Sequence, residues 1–531
     1  MTHDVSTAVA RTLLASGVET ITGLMGDGNL PHVVAFIEHG GRFVPTVAES
    51  GAVSAADGMA RTTAGLGAAS VTHGPGFTNT LTALTEAVRA RSPLLLLTGD
   101  TPSVPHHLQR FDLAAAARLT GAAYVRVTHP DDAVGQLARA MRHAEERSRP
   151  VVFDIPLDLA TAPCGESVAA VSGDRPALLP DDASLDAALG IVASARRPVV
   201  LAGRGAGGAR EELLSLAGQL GAPVATTLLA KGMFAGEHGD LGVCGTVGRS
   251  EALRVLAESD CVVAFGASLN RFTTADGLVG SRGAVVQIDS DPDAIGRYGT
   301  PAAALVGDAG ITAGRMCALL AESGPAAPYW PGAQAPPVPV ARGAGGGEDC
   351  GLELAAALRL VDDALPADRL VVSDTGRFVY TAWRELNVAA AGDFVHTLNF
   401  ASIGLGIATG MGVSLAHRDR LTLVVAGDGG AMMGLSELAT AVRERLPLLV
   451  LIANDAAYGM EFHHLRGAGR DPDHARMAWP DFADVARGYG AQGHTVRSAA
   501  ELRKVLDTLD PLPAGPVVLA LELDPATIPG E

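Results

Sequence analysis

Residues 421–455 read LTLVVAGDGGAMMGLSELATAVRERLPLLVLIAND. The apolar run 421–426 reads as a buried strand, 430–444 as a helix, and PLLVLIA at 447–453 as a second strand. Gly427, Asp428 and Gly429 therefore fall where a strand tip opens a helix. Glycines there let the backbone approach a ligand, the helix start offers free N–H groups, and a carboxylate can hold a hard cation. Asp455 follows Asp428 by 27 residues, about one strand–helix–strand unit, so both acids reach neighbouring strand ends. Asp428 with Asn454-Asp455 predicts a clamp for one Mg²⁺ on a diphosphate. Gly-Asp-Gly alone also serves ordinary turns; the downstream pair in register gives the functional reading its weight.

The bulk numbers bound the rest. A chain of 531 residues, 48% hydrophobic, has ample core and room for about three domains. A net charge of −18 argues against nonspecific nucleic-acid binding, which needs a basic face, but not against an anionic cofactor met by local dipoles and Mg²⁺. The start, MTHDVSTAVARTLL, lacks the charged and apolar regions of a signal peptide, and no apolar run is long enough to span a bilayer. The five cysteines, Cys164, Cys244, Cys261, Cys317 and Cys350, are scattered, with no CxxC. A reduced cytoplasmic setting is the expectation.

Three α/β blocks emerge, each with a mostly parallel sheet flanked by helices. Residues 1–165 carry the apolar runs ASVTH, PLLLLTG, AYVRVT and PVVFDIP. Residues 183–322 carry PVVLAG, APVATTLL, CVVAFGA and AVVQID. A Pro/Gly/Ala-rich stretch at 323–350 reads as a linker. Residues 351–531 carry RLVVSD, LTLVVAGD, PLLVLIAND and PVVLALELD. Glu49, in TVAESGAVSAADGMAR, precedes a helix expected over 51–61. A carboxyl at a strand–helix junction backed by Ala and Val is expected to be partly desolvated, with a raised pKa; a first-turn acid serving the helix dipole is the plainer account.

The Gly-Asp-Gly spacing resembles the signature of thiamine diphosphate (ThDP) enzymes, in which an Asn pair follows after about 26 residues. Asp455 stands where that family has its second Asn. The resemblance spans nearly the whole chain and implies the pyruvate decarboxylase-like architecture: pyrimidine-binding domain, central domain, diphosphate-binding domain. It implies a Mg²⁺ shell of Asp428, Asp455 and the Ala457 carbonyl, completed by two diphosphate oxygens and a water, with Gly427, Gly429, Gly430 and Tyr458 as cofactor contacts. Asp374–Phe378 matches the family's diphosphate loop, giving Gly376 and Arg377, and Arg377 would offset the extra charge of Asp455. In Asn399–Gly406, Ile403 matches the residue that wedges between the cofactor rings, and the Ala401 carbonyl would accept from the 4′-amino group. Glu49 matches the carboxyl that serves N1′ of the aminopyrimidine, and the turn Thr72–Asn79 contributes Gly76 and Asn79 near the cofactor.

Asp27 in Gly-Asp-Gly-Asn, the pair His106-His107, and Glu461 six residues beyond Asp455 match proton-relay positions of the 2-oxo acid decarboxylase branch. The sequence after the histidines, LQRFDLAAAARLTGA, looks more like acetolactate synthase. The implied activity is decarboxylation of a 2-oxo acid to an enamine that is protonated to an aldehyde or ligated to a second carbonyl. The implied assembly is a homodimer or homotetramer with active sites between subunits. Gly203–Gly208 fits GxGxxG, but no acid ends the next strand, so FAD is allowed here and not expected. A flavin-dependent pyruvate oxidase-like enzyme and a non-catalytic ThDP-binding homologue are the other readings.

Overall fold

A computed structural model describes residues 3–63, 65–102, 106–165, 170–171, 178–323 and 352–526. Ser323 closes the Ala309–Ser323 helix, and the rest of the expected 323–350 linker lies outside the described residues. The described residues hold three six-stranded sheets and one short antiparallel pair, His3–Asp4 with Pro163–Cys164. Each registered pairing in the three large sheets is parallel. The α/β class expected from the apolar runs is the class observed.

The chain divides into two compact units. One comprises Met1–Arg175, Gly346–Ala382 and Val395–Glu531 and contains two of the large sheets. The first sheet runs in the order Arg42–Pro45, Thr20–Gly23, Gly67–Val71, Leu94–Asp100, Val151–Pro156, Ala123–Arg126. Leu94 to Leu97 are fully buried because helices cover both faces. Side chains alternate along a strand. Leu95 and Leu97 therefore join Val9, Leu13 and Met141 in one cluster, while Leu94 and Leu96 join Val53, Leu84 and Ala87 in the other. Truncating such a leucine to alanine costs about 2–5 kcal/mol.

The second sheet of this unit runs Phe394–His396, Leu370–Ser373, Thr422–Gly427, Leu448–Asn454, Val517–Glu522, Gln492–Val496. The expected helix after Gly429 is broken into an α-helix, Asp428–Gly434, a 3₁₀ turn, Leu435–Glu437, and a second α-helix, Leu438–Arg443. Helix Glu49–Thr62 packs on helix Gly406–Ala416 backbone to backbone. A Cβ on Gly412 would lie 1.9 Å from the Ala55 carbonyl oxygen, and one on Gly58 would lie 2.2 Å from that of Thr409. Only glycine fits either place.

The other unit, Pro176–Gly345 with Trp383–Phe394, holds a sheet ordered Asp240–Val243, Val224–Thr226, Pro198–Ala202, Cys261–Phe265, Ala284–Asp289, Ala303–Val306. The glycines of the GxGxxG stretch let two turns cross: a Cβ on Gly203 would lie 2.2 Å from the Gly266 carbonyl oxygen, and one on Gly205 would lie 2.9 Å from its Cα. Among the described residues no helix is long and apolar enough to cross a membrane.

Candidate active site

The register Gly427↔Ala453 between two central parallel strands places Asp428 and Asp455 at the C-terminal ends of neighbouring strands. Both are buried, 4% and 5% exposed, and both accept from the Ala457 N–H at 3.2 Å. Ala456, with φ +50°, turns the chain so that this N–H falls between them. Asp428 Oδ2 also accepts from the Trp479 indole at 3.0 Å, and its Oδ1 from the Gly429 N–H at 2.7 Å. Burial pushes the Asp428 carboxyl up. Burial and then the neighbouring Asp428 push Asp455 up to about 7, against the pull of Arg377. Asn454 turns away into the sheet, donating to Glu522 Oε1 at 3.0 Å.

Two buried carboxylates sharing one N–H leave negative charge for a cation to neutralise, and hard oxygen donors suit Mg²⁺. Among the described residues no third His, Cys, Asp or Glu joins them, so the remaining ligands must be carbonyl, water or phosphate oxygens. The donor set thus fits a metal shared with a diphosphate. The surrounding glycines let the neighbouring segments close up around the two acids. A Cβ on Gly459 would lie 2.8 Å from Asp455 Oδ2 and 3.4 Å from Arg377 Cδ. One on Gly430 would lie 2.6 Å from Asp374 Oδ2, and one on Gly429 3.6 Å from the ring of Tyr458, itself 45% exposed. Gly427 and Gly376 border the Phe378 ring. Asp374, Gly376 and Arg377 therefore stand beside the Asp428 turn.

The 397–404 segment lies against the same turn. Asp374 is 1% exposed and accepts from the Gly404 N–H at 2.9 Å and the Thr397 hydroxyl at 3.0 Å. Ala401 has φ +60°, a left-handed conformation that costs an L-residue about 1–2 kcal/mol. Ile403, two residues on, is half-buried.

Glu49 is the first residue of its helix, not the residue ahead of it, and Ala48 is the N-cap. It is half-buried. Its Oε2 accepts from Asn79 Nδ2 at 3.1 Å, and a Cβ on Gly76 would lie 3.5 Å from Oε1. The structure thus gathers Glu49, Gly76 and Asn79. Glu437, from the 3₁₀ turn behind Asp428, accepts the Val47 N–H at 3.1 Å and the Ala48 N–H at 2.9 Å. For the Ala48 N–H it does what the N3 carboxylate of a capping box does elsewhere.

The proton-relay candidates differ in their surroundings. Asp27 is exposed on a turn that Asn29 holds through the Gly26 N–H, the Leu24 carbonyl and Ser70. His106 is exposed, and Glu461 is exposed in the first turn of helix Gly459–Gly467. His107 is half-buried and sits edge-on to His73, 5.6 Å between ring centroids. His73 is buried, bonds Gln109 Oε1 at 3.1 Å, and fills the space of a side chain at position 28, whose Cβ would lie 2.2 Å from its Nδ1. His73, rather than His106, joins the Asp27 turn to His107. In the sequence His73 is one residue of the glycine-rich turn Thr72–Asn79, and a lone histidine carries no spacing signal. Trp479, Glu437 and Glu86 were likewise not singled out.

Three profiles match this chain: thiamine pyrophosphate enzyme, N-terminal TPP binding domain, over residues 3–117; central domain, over 185–316; and C-terminal TPP binding domain, over 374–520. The chain belongs to the thiamine pyrophosphate enzyme family. Within that family it is 30% identical to a probable 2-ketoarginine decarboxylase of Pseudomonas aeruginosa, across 94% of this chain and 90% of the relative. It is 27% identical to a sulfoacetaldehyde acetyltransferase of Alcaligenes xylosoxydans xylosoxydans and 27% identical to the acetolactate synthase isozyme 3 large subunit of Escherichia coli, each across 94% of this chain and 90% of the relative. The family's N-terminal and C-terminal TPP binding domains cover the stretches that carry Glu49 and Asp428.

Proposed function

We propose that this chain is a ThDP- and Mg²⁺-dependent enzyme that removes CO₂ from a 2-oxo acid and either protonates the remaining carbon or joins it to a second carbonyl. The observation that carries this reading is the placement of Glu49, held by Asn79 beside Gly76 at a helix start. A family member retaining that carboxyl retains the group that acts on the pyrimidine. The names of the relatives, a decarboxylase, an acetyltransferase and an acetolactate synthase, support both product fates.

When bound, ThDP supplies a nucleophilic thiazolium carbon and a sink for the electrons left by CO₂. Asp428, Asp455 and the Ala457 carbonyl would hold Mg²⁺, with Arg377 as a counter-charge to the diphosphate. The Ala401 carbonyl would accept a hydrogen bond from the cofactor's amino group, and Ile403 would pack against its rings. Glu49 would hold a proton at the pyrimidine nitrogen. Asp27 and His107, joined by His73, support protonation as the end of the cycle. Glu49 of one copy serves the Asp428 domain of another, so the working form is a homodimer or homotetramer. The thiols of Cys164, Cys244, Cys261 and Cys317, buried and outside any disulfide, support a reducing, cytoplasmic setting.

The purified chain with Mg²⁺ and ThDP should release CO₂ from at least one 2-oxo acid in a panel of aliphatic, aromatic and guanidino side chains. Mass spectrometry of the product separates aldehyde from ligated acid. Glu49→Gln should lower turnover by roughly 10²–10⁴-fold. Failure of the wild-type chain to take up ThDP in calorimetry, or to release CO₂ from any member of the panel, would overturn the proposal.

A further inference from the structure

Glu86 lies on helix Leu81–Ala90 and is 2% exposed. Its carboxylate accepts three N–H groups from one short segment: the Asn399 backbone at 3.2 Å, Asn399 Nδ2 at 2.7 Å and the Phe400 backbone at 2.5 Å. One turn along the helix, the Arg89 guanidinium covers the Phe400 ring, 4.6 Å from its centroid. Arg61 Nη1 donates to the His396 carbonyl at 2.8 Å, fixing the same segment further upstream. The residue that follows is Ala401, left-handed at φ +60°. A residue with a Cβ stays in that region only when its surroundings over-determine it. Glu86 takes both backbone N–H groups ahead of Ala401, and Asp374 takes the Gly404 N–H behind it.

We propose that Glu86 is a positioning residue of the reaction: it clamps Asn399 and Phe400 so that Ala401 stays left-handed and presents its carbonyl to the cofactor's amino group. The inference rests on the reading that Ala401 faces the cofactor. Burial pushes the Glu86 carboxyl up, and the bonds from Asn399 and Phe400 with the charge of Arg61 pull it back, so the clamp and the carboxylate sustain each other. Glutamine at this position keeps the volume but offers one acceptor oxygen where the segment needs two.

The test compares four proteins: wild type, Glu86→Gln, Ala401→Gly and the double variant. Calorimetric ThDP affinity at saturating Mg²⁺ is expected to fall at least tenfold in Glu86→Gln. Glycine is left-handed without strain, so the same substitution in the Ala401→Gly background is expected to cost less than threefold. A carboxylate that served stability alone would give the same loss in both backgrounds, and that result overturns the proposal, as does no loss in either. Hydrogen exchange in the cofactor-free protein is the second readout: the peptide spanning 396–403 should exchange at least tenfold faster in Glu86→Gln. Unchanged exchange overturns the clamp by itself. If the wild type binds no ThDP, the functional reading fails, and exchange still decides the clamp.

Discussion

Trp479 donates its indole N–H to Asp428 at 3.0 Å across 51 residues of chain, onto the oxygen that also accepts from Ala457. The carboxylate is therefore oriented before any ligand arrives. Ligands held by such outer partners typically lose 10–100-fold in metal affinity when the partner is removed. Trp479→Phe keeps the ring and deletes the donor. We expect about tenfold weaker Mg²⁺-dependent ThDP binding with little change in melting temperature. Calorimetry across a Mg²⁺ series checks this, and unchanged affinity would show that Trp479 only fills space.

Arg377 and Asp455 both border Gly459, where a Cβ would lie 3.4 Å from Arg377 Cδ and 2.8 Å from Asp455 Oδ2. Arg377 favours the charged form of Asp455, while Asp428 opposes it. Arg377→Ala is expected to weaken ThDP binding about tenfold, a loss on the scale of one charge-assisted bond. In an Asp455→Asn background the loss should shrink, because the extra negative charge is gone. Additive losses in the double variant would separate the two residues.

The part of this architecture legible in the sequence follows burial. Thr422–Gly427 and Leu448–Asn454 are buried on both faces and spell continuous apolar runs. The strands that escaped reading include Arg42–Pro45, Asp240–Val243, Ala303–Val306, Phe394–His396 and Gln492–Val496, and each lies at a sheet edge. An edge strand is short and half-solvated; QGHTV carries one fully apolar side chain, Val496, and no alternation to follow. The site divides the same way. Asp428, Asp455, Glu49 and Ala401 sit in motifs whose spacing is local. Glu437 reaches Ala48 across 389 positions and Glu86 reaches Phe400 across 314, so nothing near either glutamate announces its partner.

Glu437 offers a stability test that also bears on the site. It is 2% exposed and accepts the N–H groups of Val47 and Ala48 and the Thr440 hydroxyl. Glu437→Ala leaves two donors at the start of the Glu49 helix without a partner. The cost should be about 1.5–3 kcal/mol, the range for bonds to a charged group. A lower melting temperature together with weaker ThDP binding is the expected pair of results. A drop in stability with ThDP affinity intact would confine Glu437 to the fold.

Asp154 gives the pH dependence. It is fully buried and accepts from the Tyr124 hydroxyl at 2.6 Å and Arg126 at 2.8 Å, with Arg126 also paired to Asp100. Burial pushes its carboxyl up to about 6, against the pull of Tyr124 and Arg126. An aspartate in the unfolded chain titrates near 3.9, so the folded chain holds this proton more tightly. The resulting stabilisation is complete below about pH 4 and is lost as pH rises to about 6. A shift of about two units corresponds to roughly 3 kcal/mol at most. Relative to Asp154→Asn, the wild type should lose up to that amount between about pH 4 and 6 and run parallel to the variant above that window. Denaturation curves for both proteins from pH 4 to 8 measure the difference; a flat difference would mean that Asp154 keeps its charge throughout.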